Sequence, residues 1–388
     1  ICESTRFFCF PCFKSAIFTN NFLPKMAHQI KTFKTVNSEI YVGNDVFVLL
    51  NEYLFSYEKS KIFLLVDENS LNFCVTQLIS QVKLLEKAEI IEIESGEENK
   101  TIDICYQLWK TLADYKADRN ALLINLGGGV ITDMGGFIAS TYKRGIDFIN
   151  IPTTLLAQID ASVGGKVGVD LDGLKNMVGV FNEPNAVFVC PDFLKTLDKR
   201  QMLSGYAEAL KHGLIQNTTY WNELKKGMLS DASFWMKMIT TSIEIKNNIV
   251  LNDPKENGER KLLNFGHTIG HAVETHYLTN DELPLLHGEA IAVGMICESY
   301  ISNKINGLTD EALDEITSAI TSFYKLPLIQ TENYIDLIEL MKNDKKNKKS
   351  SLNFTLLNAI GSATINHEVD NNMIVSSLDF YNTVIKNK

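Results

Sequence analysis

The stretch ALLINLGGGVITDMGGFIAS, Ala121 to Ser140, passes from a short apolar run through three consecutive glycines into a segment with helical apolar spacing. A buried strand, a tight turn and a helix is the simplest reading. Glycine lets the backbone approach a bound group closely, and the first turn of a helix offers unpaired N–H groups and a favourable dipole. The turn therefore suits a phosphate. Its spacing is not the G-x-G-x-x-G of the usual dinucleotide fingerprint, so the motif by itself supports a nucleotide only weakly. Gly135 and Gly136 have a second reading, as small residues that let a helix pack closely on a sheet.

Outward from this turn the same alternation repeats. KIFLLVDENS (61–70), AEIIEIESGEE (88–98), DFINIPTT (147–154) and NAVFVCPD (185–192) each read as a buried strand that ends in a turn. Between them, LNFCVTQLISQVKLLEKA (71–88) and TIDICYQLWKTLADYKA (101–117) carry apolar residues at helical spacing. Strand, helix, strand in this order predicts an α/β domain with a parallel sheet covered on both faces, and ligands on such sheets bind at the carboxyl ends of the strands. Asp67 and Asn69 stand at one such end and Glu97 and Lys100 at the next; each alone reads equally well as a turn residue or helix cap.

After Pro191 the period becomes helical, from PDFLKTLDKRQMLSGYAEALKHGLI onward, with one candidate hairpin in LNFTLLNAIGSATI (352–365). A length of 388 residues also favours two domains. The expected division is an α/β nucleotide-binding domain over residues 26–191 and a mainly α-helical metal- and substrate-binding domain over 192–388, with the active site in the cleft between them. Residues 1–25, acid-poor and ahead of Met26, read as a leader or as upstream sequence outside the working protein. CFPC (9–12) within them has zinc-knuckle or redox spacing, but no second pair completes it.

Composition narrows the class. Hydrophobic residues at 45% and charged residues at 22% are ordinary for a globular protein, and no run approaches the roughly 18 to 20 apolar residues that span a bilayer. A net charge of −10 argues against a general nucleic-acid binder. Seven cysteines, an odd number with no framework of pairs, suit a reducing compartment, so a cytoplasmic location is expected.

Four of the seven histidines fall in FGHTIGHAVETHYLTNDELPLLHGEA, Phe265 to Ala290. His267 and His271 are four apart and share one helix face, while His287 opens a further helix; His276 reads as a loop residue. A catalytic zinc takes three protein ligands and keeps one position open, and two histidines with one carboxylate is a standard set. Glu208, in the apolar helical segment SGYAEALKHG, is the leading carboxylate because burying it unpaired is expensive. Lys211 and His212, three and four residues on, offer the plainer reading of an internal ion pair, and Glu274 and Glu289 are rival carboxylates. TYKRGIDFINIPTTLLAQIDASVGGKVGVDLDGLKNMVGVF (141–181) supplies Arg144, Lys166, Lys175 and Asn176 from loops or short elements, with Asp160 between them. Cations in so small and apolar a stretch suit a polyanion pocket, and Lys246, Arg260 and Asn264 add to it. The basic run MKNDKKNKKSS (341–351) reads as a solvated loop that can also close a lysine over an anion.

GGGVITDMGGF, YKRG, PTTLLAQIDASVGGK, LKNMVG, GYAEALKHG, LNFGHTIGHAVE and HGEAIAVGM, in this order, resemble the 3-dehydroquinate synthase family of sugar phosphate cyclases. The resemblance runs from about Asp67 to Gly361. It implies a Rossmann-like domain followed by a helical one, usually in a homodimer. It also implies NAD and a divalent ion, Zn2+ or Co2+, used to convert a sugar phosphate, 3-deoxy-D-arabino-heptulosonate 7-phosphate, into 3-dehydroquinate and phosphate. Such an enzyme is a carbon–oxygen lyase of the shikimate pathway. The family pattern implies metal ligands Glu208, His267 and His287, with His271 facing substrate. It implies substrate contacts from Asp160, Lys166, Lys175, Asn176, Lys211, Lys246, Arg260, Asn264 and one lysine of the Lys345–Lys346 pair, and an Arg144 that reaches a partner subunit's site. For NAD it implies Asp67, Asn69, Glu97, Lys100, Gly128, Gly129, Asp133, Thr153 and Thr154, with Lys166, Lys175 and Asn176 shared with substrate. Thr132, Glu259 and the stretch GGKVGVDLDG depart from the commoner pattern without removing a proposed ligand.

Overall fold

The computed structural model describes residues 30–57, 60–171, 174–228, 231–280, 283–344 and 352–388. Residues 1–25, expected to be a leader or upstream sequence, with their CFPC, and both Lys345 and Lys346 lie outside the described residues. The chain divides into two compact units, one running to Thr153 and including Asn182–Thr196, the other made of Thr154–Phe181 and Leu197–Lys388. Residues 154–181 belong to the second unit because they pack on its helices: a Cβ on Gly205, in the helix Lys199–Gln216, would stand 2.5 Å from the Leu156 nitrogen.

The strands, in chain order, are β1 (Lys31–Lys34), β2 (Glu39–Val42), β3 (Ile62–Asp67), β4 (Glu89–Ile93), β5 (Leu122–Gly127), β6 (Asp147–Pro152), β7 (Lys166–Leu171), β8 (Leu174–Phe181), β9 (Ala186–Val189), β10 (Leu352–Ala359) and β11 (Ser362–Val369). The first unit holds a seven-stranded sheet in the order β1-β2-β9-β6-β5-β3-β4. All its pairings are parallel except that of β1 with β2. All of β5 and most of β3 are buried, which is why these strands read as continuous apolar runs rather than alternating ones. The antiparallel edge pair β1–β2 has no counterpart in the sequence reading, because its four-residue strands carry no strong pattern. From β3 the chain moves outward to β4, and from β5 it moves the other way to β6, so the connections diverge between the neighbours β3 and β5. A crevice forms at the carboxyl ends of strands with such a reversal.

Gly135 is a packing residue: a Cβ there would lie 2.0 Å from Asn125 Oδ1 on β5, whose amide donates to Asn150 Oδ1 on β6 at 2.9 Å. The helix Gly129–Thr141 can lie on the sheet because that position is bare.

The second unit is mainly helical, with two antiparallel hairpins, β7–β8 and β10–β11. The second hairpin is the one expected near residue 352. The first lies where loops or short elements were expected. In the helix Lys199–Gln216 every residue from Ser204 to Ile215 is buried, including Glu208, Lys211 and His212. Further on, the helices His267–Asn280 and His287–Ile305 meet backbone to backbone. A Cβ on Gly294 would stand 1.9 Å from the Gly266 carbonyl oxygen, and one on Gly270 would stand 2.8 Å from Ile291 Cδ1. Gly294→Ala is accordingly expected to lower stability by about 3 kcal/mol, the upper end for forced overpacking, read as a fall in thermal midpoint. A neutral result would mean the two helices separate freely. Among the described residues no helix is long and apolar enough to cross a membrane.

Candidate active site

The second unit assembles a cluster around Glu208. This carboxylate is fully buried, and neither of its oxygens finds a partner with hydrogen-bond geometry among the described residues. Its Oε1 lies 3.4 Å from His267 Nε2 and 3.4 Å from His287 Nε2. One donor atom from each of the three residues falls within 4.8 Å of the others, the spacing of a shared cation. Each imidazole is set by its other nitrogen. His267 Nδ1 lies 3.0 Å from the Phe265 carbonyl and His287 Nδ1 lies 3.1 Å from Glu274 Oε2. Both partners only accept, so Nδ1 carries hydrogen and Nε2 is left to face Glu208. The charge pattern agrees. Burial, reinforced by Lys211, holds the His267 imidazole well below its ordinary range, so it is neutral and its lone pair is available. Burial also opposes charge on Glu208, but the Lys211 ammonium outweighs it and holds the carboxyl below the usual carboxylate range. At His287 burial is outweighed by Glu274 and Glu208, which push the imidazole up to about 10. A cation at its Nε2 takes a proton's place. A buried, ionised carboxylate with one oxygen turned to two oriented imidazoles fits a divalent ion.

Both sequence readings of Glu208 hold at once. Lys211, one turn on and buried, forms the expected internal ion pair with Oε2, while Oε1 serves the histidines. The rival carboxylates are engaged elsewhere. Arg200 clamps Glu289 through Nε at 2.8 Å and Nη2 at 2.7 Å. Glu274 supports His287 from behind and receives Lys175 Nζ at 2.6 Å. Its donor atoms also fall close to those of His271 and His287, an alternative triad, but the ammonium of Lys175 already occupies its Oε1. A third grouping, of Asp160, Glu208 and His212, encloses the Lys211 ammonium, which repels a cation. His271 joins the cluster at its edge, its ring centre 5.0 Å from that of His267 and 5.9 Å from that of His287. His276, expected in a loop, lies in the helix His267–Asn280, where its carbonyl accepts from the Asn280 amide at 2.8 Å.

A second knot of charge adjoins the first. Lys246 Nζ lies 2.8 Å from Asp160 Oδ2 and donates to the Asp160 carbonyl at 2.8 Å, while Lys211 Nζ lies 3.9 Å from Oδ1. His212 Nε2 approaches Oδ1 to 3.6 Å, just outside hydrogen-bond range. Burial raises the Asp160 carboxyl, but Lys246 and then Lys211 more than compensate and hold it well below the usual range.

The other expected anion-binding residues are spread more widely. Lys166 pairs with Glu256, whose Oε1 receives the Asn264 amide at 2.8 Å. Arg260 is buried and donates to the carbonyls of Pro254 at 2.7 Å and Gly164 at 2.8 Å, stacking over Phe181 as well. Asn176 sits at φ 54 in β8, its N–H held by Asp170 Oδ1 at 2.7 Å. The reading from sequence passed over Glu256, which joins Lys166 to Asn264. Its local signal is weak, one of two acids in PKENGER, and its partner Lys166 comes from a distant segment.

In the first unit, the residues expected to bind a nucleotide gather at the carboxyl ends of β3, β4 and β5. Gly128 and Gly129 open the helix that follows β5. Lys100 Nζ lies 2.7 Å from Asp133 Oδ2 and 3.7 Å from Glu97 Oε1. Asp67 caps the turn after β3, its Oδ1 accepting from the Ser70 N–H at 2.7 Å, with Asn69 in that same turn. Thr153 donates its N–H to the Gly127 carbonyl at 2.9 Å, tying the end of β6 to the glycine turn. Thr154 belongs to the second unit, where its Oγ1 accepts from Ala157 at 3.2 Å. A bare helix start beside a strand-end carboxylate at a point of diverging connections fits a dinucleotide. Arg144 is exposed at φ 70, next to Lys143 at φ 50, in a left-handed turn after the same helix.

Comparison with known proteins places this arrangement. The family model for the 3-dehydroquinate synthase N-terminal region matches residues 90–204, and that for the C-terminal region matches residues 205–347. The 3-dehydroquinate synthase of Parabacteroides distasonis is 43% identical over 345 residues, covering 88% of this chain and 97% of that protein. The enzyme of the same name from Clostridium botulinum is 41% identical over 320 residues, covering 81% and 90%. Among solved structures, 2-epi-5-epi-valiolone synthase from Streptomyces hygroscopicus, with NAD+ and Zn2+ bound, superposes with a TM-score of 0.80 at 23% identity, covering 93% of this chain and 100% of that one. A 2-deoxy-scyllo-inosose synthase, complexed with carbaglucose-6-phosphate, NAD+ and Co2+, gives 0.78 at 24% identity, covering 90% and 99%. These two establish the fold. With both halves matched and such identity sustained over most of its length, the chain belongs to the 3-dehydroquinate synthase family.

Proposed function

We propose that the protein is a 3-dehydroquinate synthase of the shikimate pathway, turning 3-deoxy-D-arabino-heptulosonate 7-phosphate into 3-dehydroquinate and phosphate with NAD and one divalent ion, Zn2+ or Co2+. The observation that carries the metal reading is Glu208 Oε1, buried and 3.4 Å from each of two imidazole nitrogens. When bound, the ion polarises a substrate hydroxyl and the nicotinamide takes up and returns a hydride. Glu208, His267 and His287 hold the ion, with Phe265 and Glu274 fixing the two rings. Gly128, Gly129, Asp67, Asn69, Glu97, Lys100, Asp133, Thr153 and Thr154 hold the nucleotide. His271 stands beside the ligand histidines as the group that moves a proton. Lys211 and Lys246, locked by Asp160, and Lys166, locked by Glu256 with Asn264, present fixed positive charge to an anionic substrate. Lys175, Asn176, Arg260 and one of Lys345 and Lys346 complete its surroundings. Arg144, exposed on its left-handed turn, reaches the partner's site in a homodimer. The scattered buried thiols Cys74, Cys105, Cys190 and Cys297, none in a disulfide, suit the cytoplasm.

The overall conversion is redox-neutral, and that gives the test. Purified protein with NAD+ and Zn2+ is expected to release one phosphate per heptulosonate phosphate consumed with no net NADH. The fold is shared with cyclases that make inososes and valiolones, so heptulose 7-phosphate is the control. Its turnover in place of the heptulosonate phosphate would overturn the assignment. Accumulating NADH would point to a dehydrogenase.

A further inference from the structure

We infer that Glu298 is a positioning residue for the metal site, a carboxylate that sets the ligand His267 against the ligand His287. The inference rests on the reading of Glu208, His267 and His287 as metal ligands. Glu298 lies in the helix His287–Ile305, which begins with one ligand, and it is fully buried. Its Oε2 accepts the Gly266 N–H at 2.7 Å and its Oε1 accepts the Ile269 N–H at 3.1 Å. Those two donors bracket His267 at the start of the helix His267–Asn280.

A helix start needs acceptors for its first N–H groups, ordinarily from a Ser, Thr, Asp or Asn just before it. Here the residue before His267 is Gly266, and it has to be glycine. Its φ is +79, and a Cβ would lie 2.7 Å from Met295 Cγ. The helices touch at this point, with a Cβ on Gly294 only 1.9 Å from the Gly266 carbonyl oxygen. Backbone contact therefore excludes a local cap, and the cap comes from the neighbouring helix instead. The side chain presents two oxygens, one to each N–H, so a single residue from the neighbouring helix satisfies two donors at this helix start. The consequence is geometric. The Glu298 carboxylate ties the first turn of one ligand helix to the body of the other, so the two imidazoles keep their separation before any ion arrives. Residues that orient metal ligands typically change affinity about 10–100-fold when altered.

The test uses Co2+ as the probe on full-length metal-free protein, with affinity by titration and the visible absorption of the bound ion as readouts. Glu298→Gln keeps the shape but turns one acceptor into a donor facing an N–H. Glu298→Asp keeps the charge and withdraws it by one methylene. Thr309→Ala is the control, since it removes an ordinary cap from the helix Asp310–Phe323, where the hydroxyl accepts from Ala312 N–H at 3.2 Å. Glu298→Gln is expected to weaken Co2+ about 10–100-fold and shift its visible bands, Glu298→Asp to do so partially, and Thr309→Ala to do neither while lowering the melting midpoint. If Glu298→Gln is not recovered folded, Glu298→Asp against Thr309→Ala decides on the same two readouts. Lower stability with wild-type affinity and spectrum in the Glu298 variants would make Glu298 only a helix cap and overturn the inference. Wild-type protein that binds no tight Co2+ would instead remove the ligand reading, and the inference with it.

Discussion

Glu208→Ala is expected to purify without its metal ion and to lose at least about 10³-fold in kcat/KM, beyond the 10–100-fold typical of changes to residues behind the ligands. The carboxylate lies 3.4 Å from both His267 Nε2 and His287 Nε2, and alanine leaves two imidazoles, too few to hold an ion tightly. His287→Ala should behave alike. His271→Ala should keep one ion per chain while kcat falls about 10²-fold, the loss of a proton-transfer group. Metal content by atomic emission separates these outcomes. Equal loss from all three, or retention in His287→Ala with loss in His271→Ala, would refute the assignment. A second effect accompanies the first. Glu208 and Lys211 are a buried pair, and removing one partner of such a pair costs about 3–5 kcal/mol. Metal-free Glu208→Ala should therefore also unfold at lower urea than metal-free wild type.

Asp160→Asn should produce the other large change, about 3–5 kcal/mol of stability at neutral pH, since Lys246 stays buried without its counter-charge while Lys211 keeps only Glu208. Its pH dependence follows from the direction of the shift. Burial disfavours the Asp160 carboxylate, but Lys246 and Lys211 hold its carboxyl well below the ordinary range. A depressed acid contributes stability above its unfolded value, about 3.9, and loses it as pH falls through the folded value. The gap between wild type and variant should thus be full at pH 6–8 and shrink below about 4. At the alkaline end the lysine governs. Burial already holds the Lys246 ammonium below the usual lysine range, partly offset by Asp160. Without that offset the folded chain binds fewer protons than the unfolded one, so the variant regains stability as pH rises towards about 10. Urea midpoints across this range decide it, and a gap independent of pH would show that Asp160 acts through shape rather than charge. Turnover should fall about 10²-fold with metal retained, as a preorganised charge is disturbed.

The parallel sheet could be read in advance because β3, β5, β6 and β9 are buried on both faces along almost all their length, and burial on both faces leaves an unbroken apolar run in the chain, while β4, at the sheet edge, keeps its isoleucines buried or half-buried between glutamates. The hairpin β7–β8 could not. KVGVDL and LKNMVGVF mix glycine, lysine and exposed apolar residues, and only the pairing of Lys166 with Phe181 through Leu171 with Leu174 makes them strands. Helical spacing put His267 and His271 on one face, and their rings do lie 5.0 Å apart. Spacing said nothing of which nitrogen meets which carboxylate. The motifs carried that much further than periodicity did, naming Glu208, His267 and His287 together.

Local chemistry written along the chain thus determined the buried parallel strands, the glycine turn, the helical second half and the family, because burial patterns and motifs are properties of neighbouring residues. The assignment of residues 154–181 to the second unit, the engagement of Arg260 by two carbonyls and the Glu256 link between Lys166 and Asn264 were settled by folding. So was the carboxylate of Glu298 at the start of another helix. Each depends on donors and acceptors that are far apart in sequence, and no local pattern records which buried polar group will satisfy which.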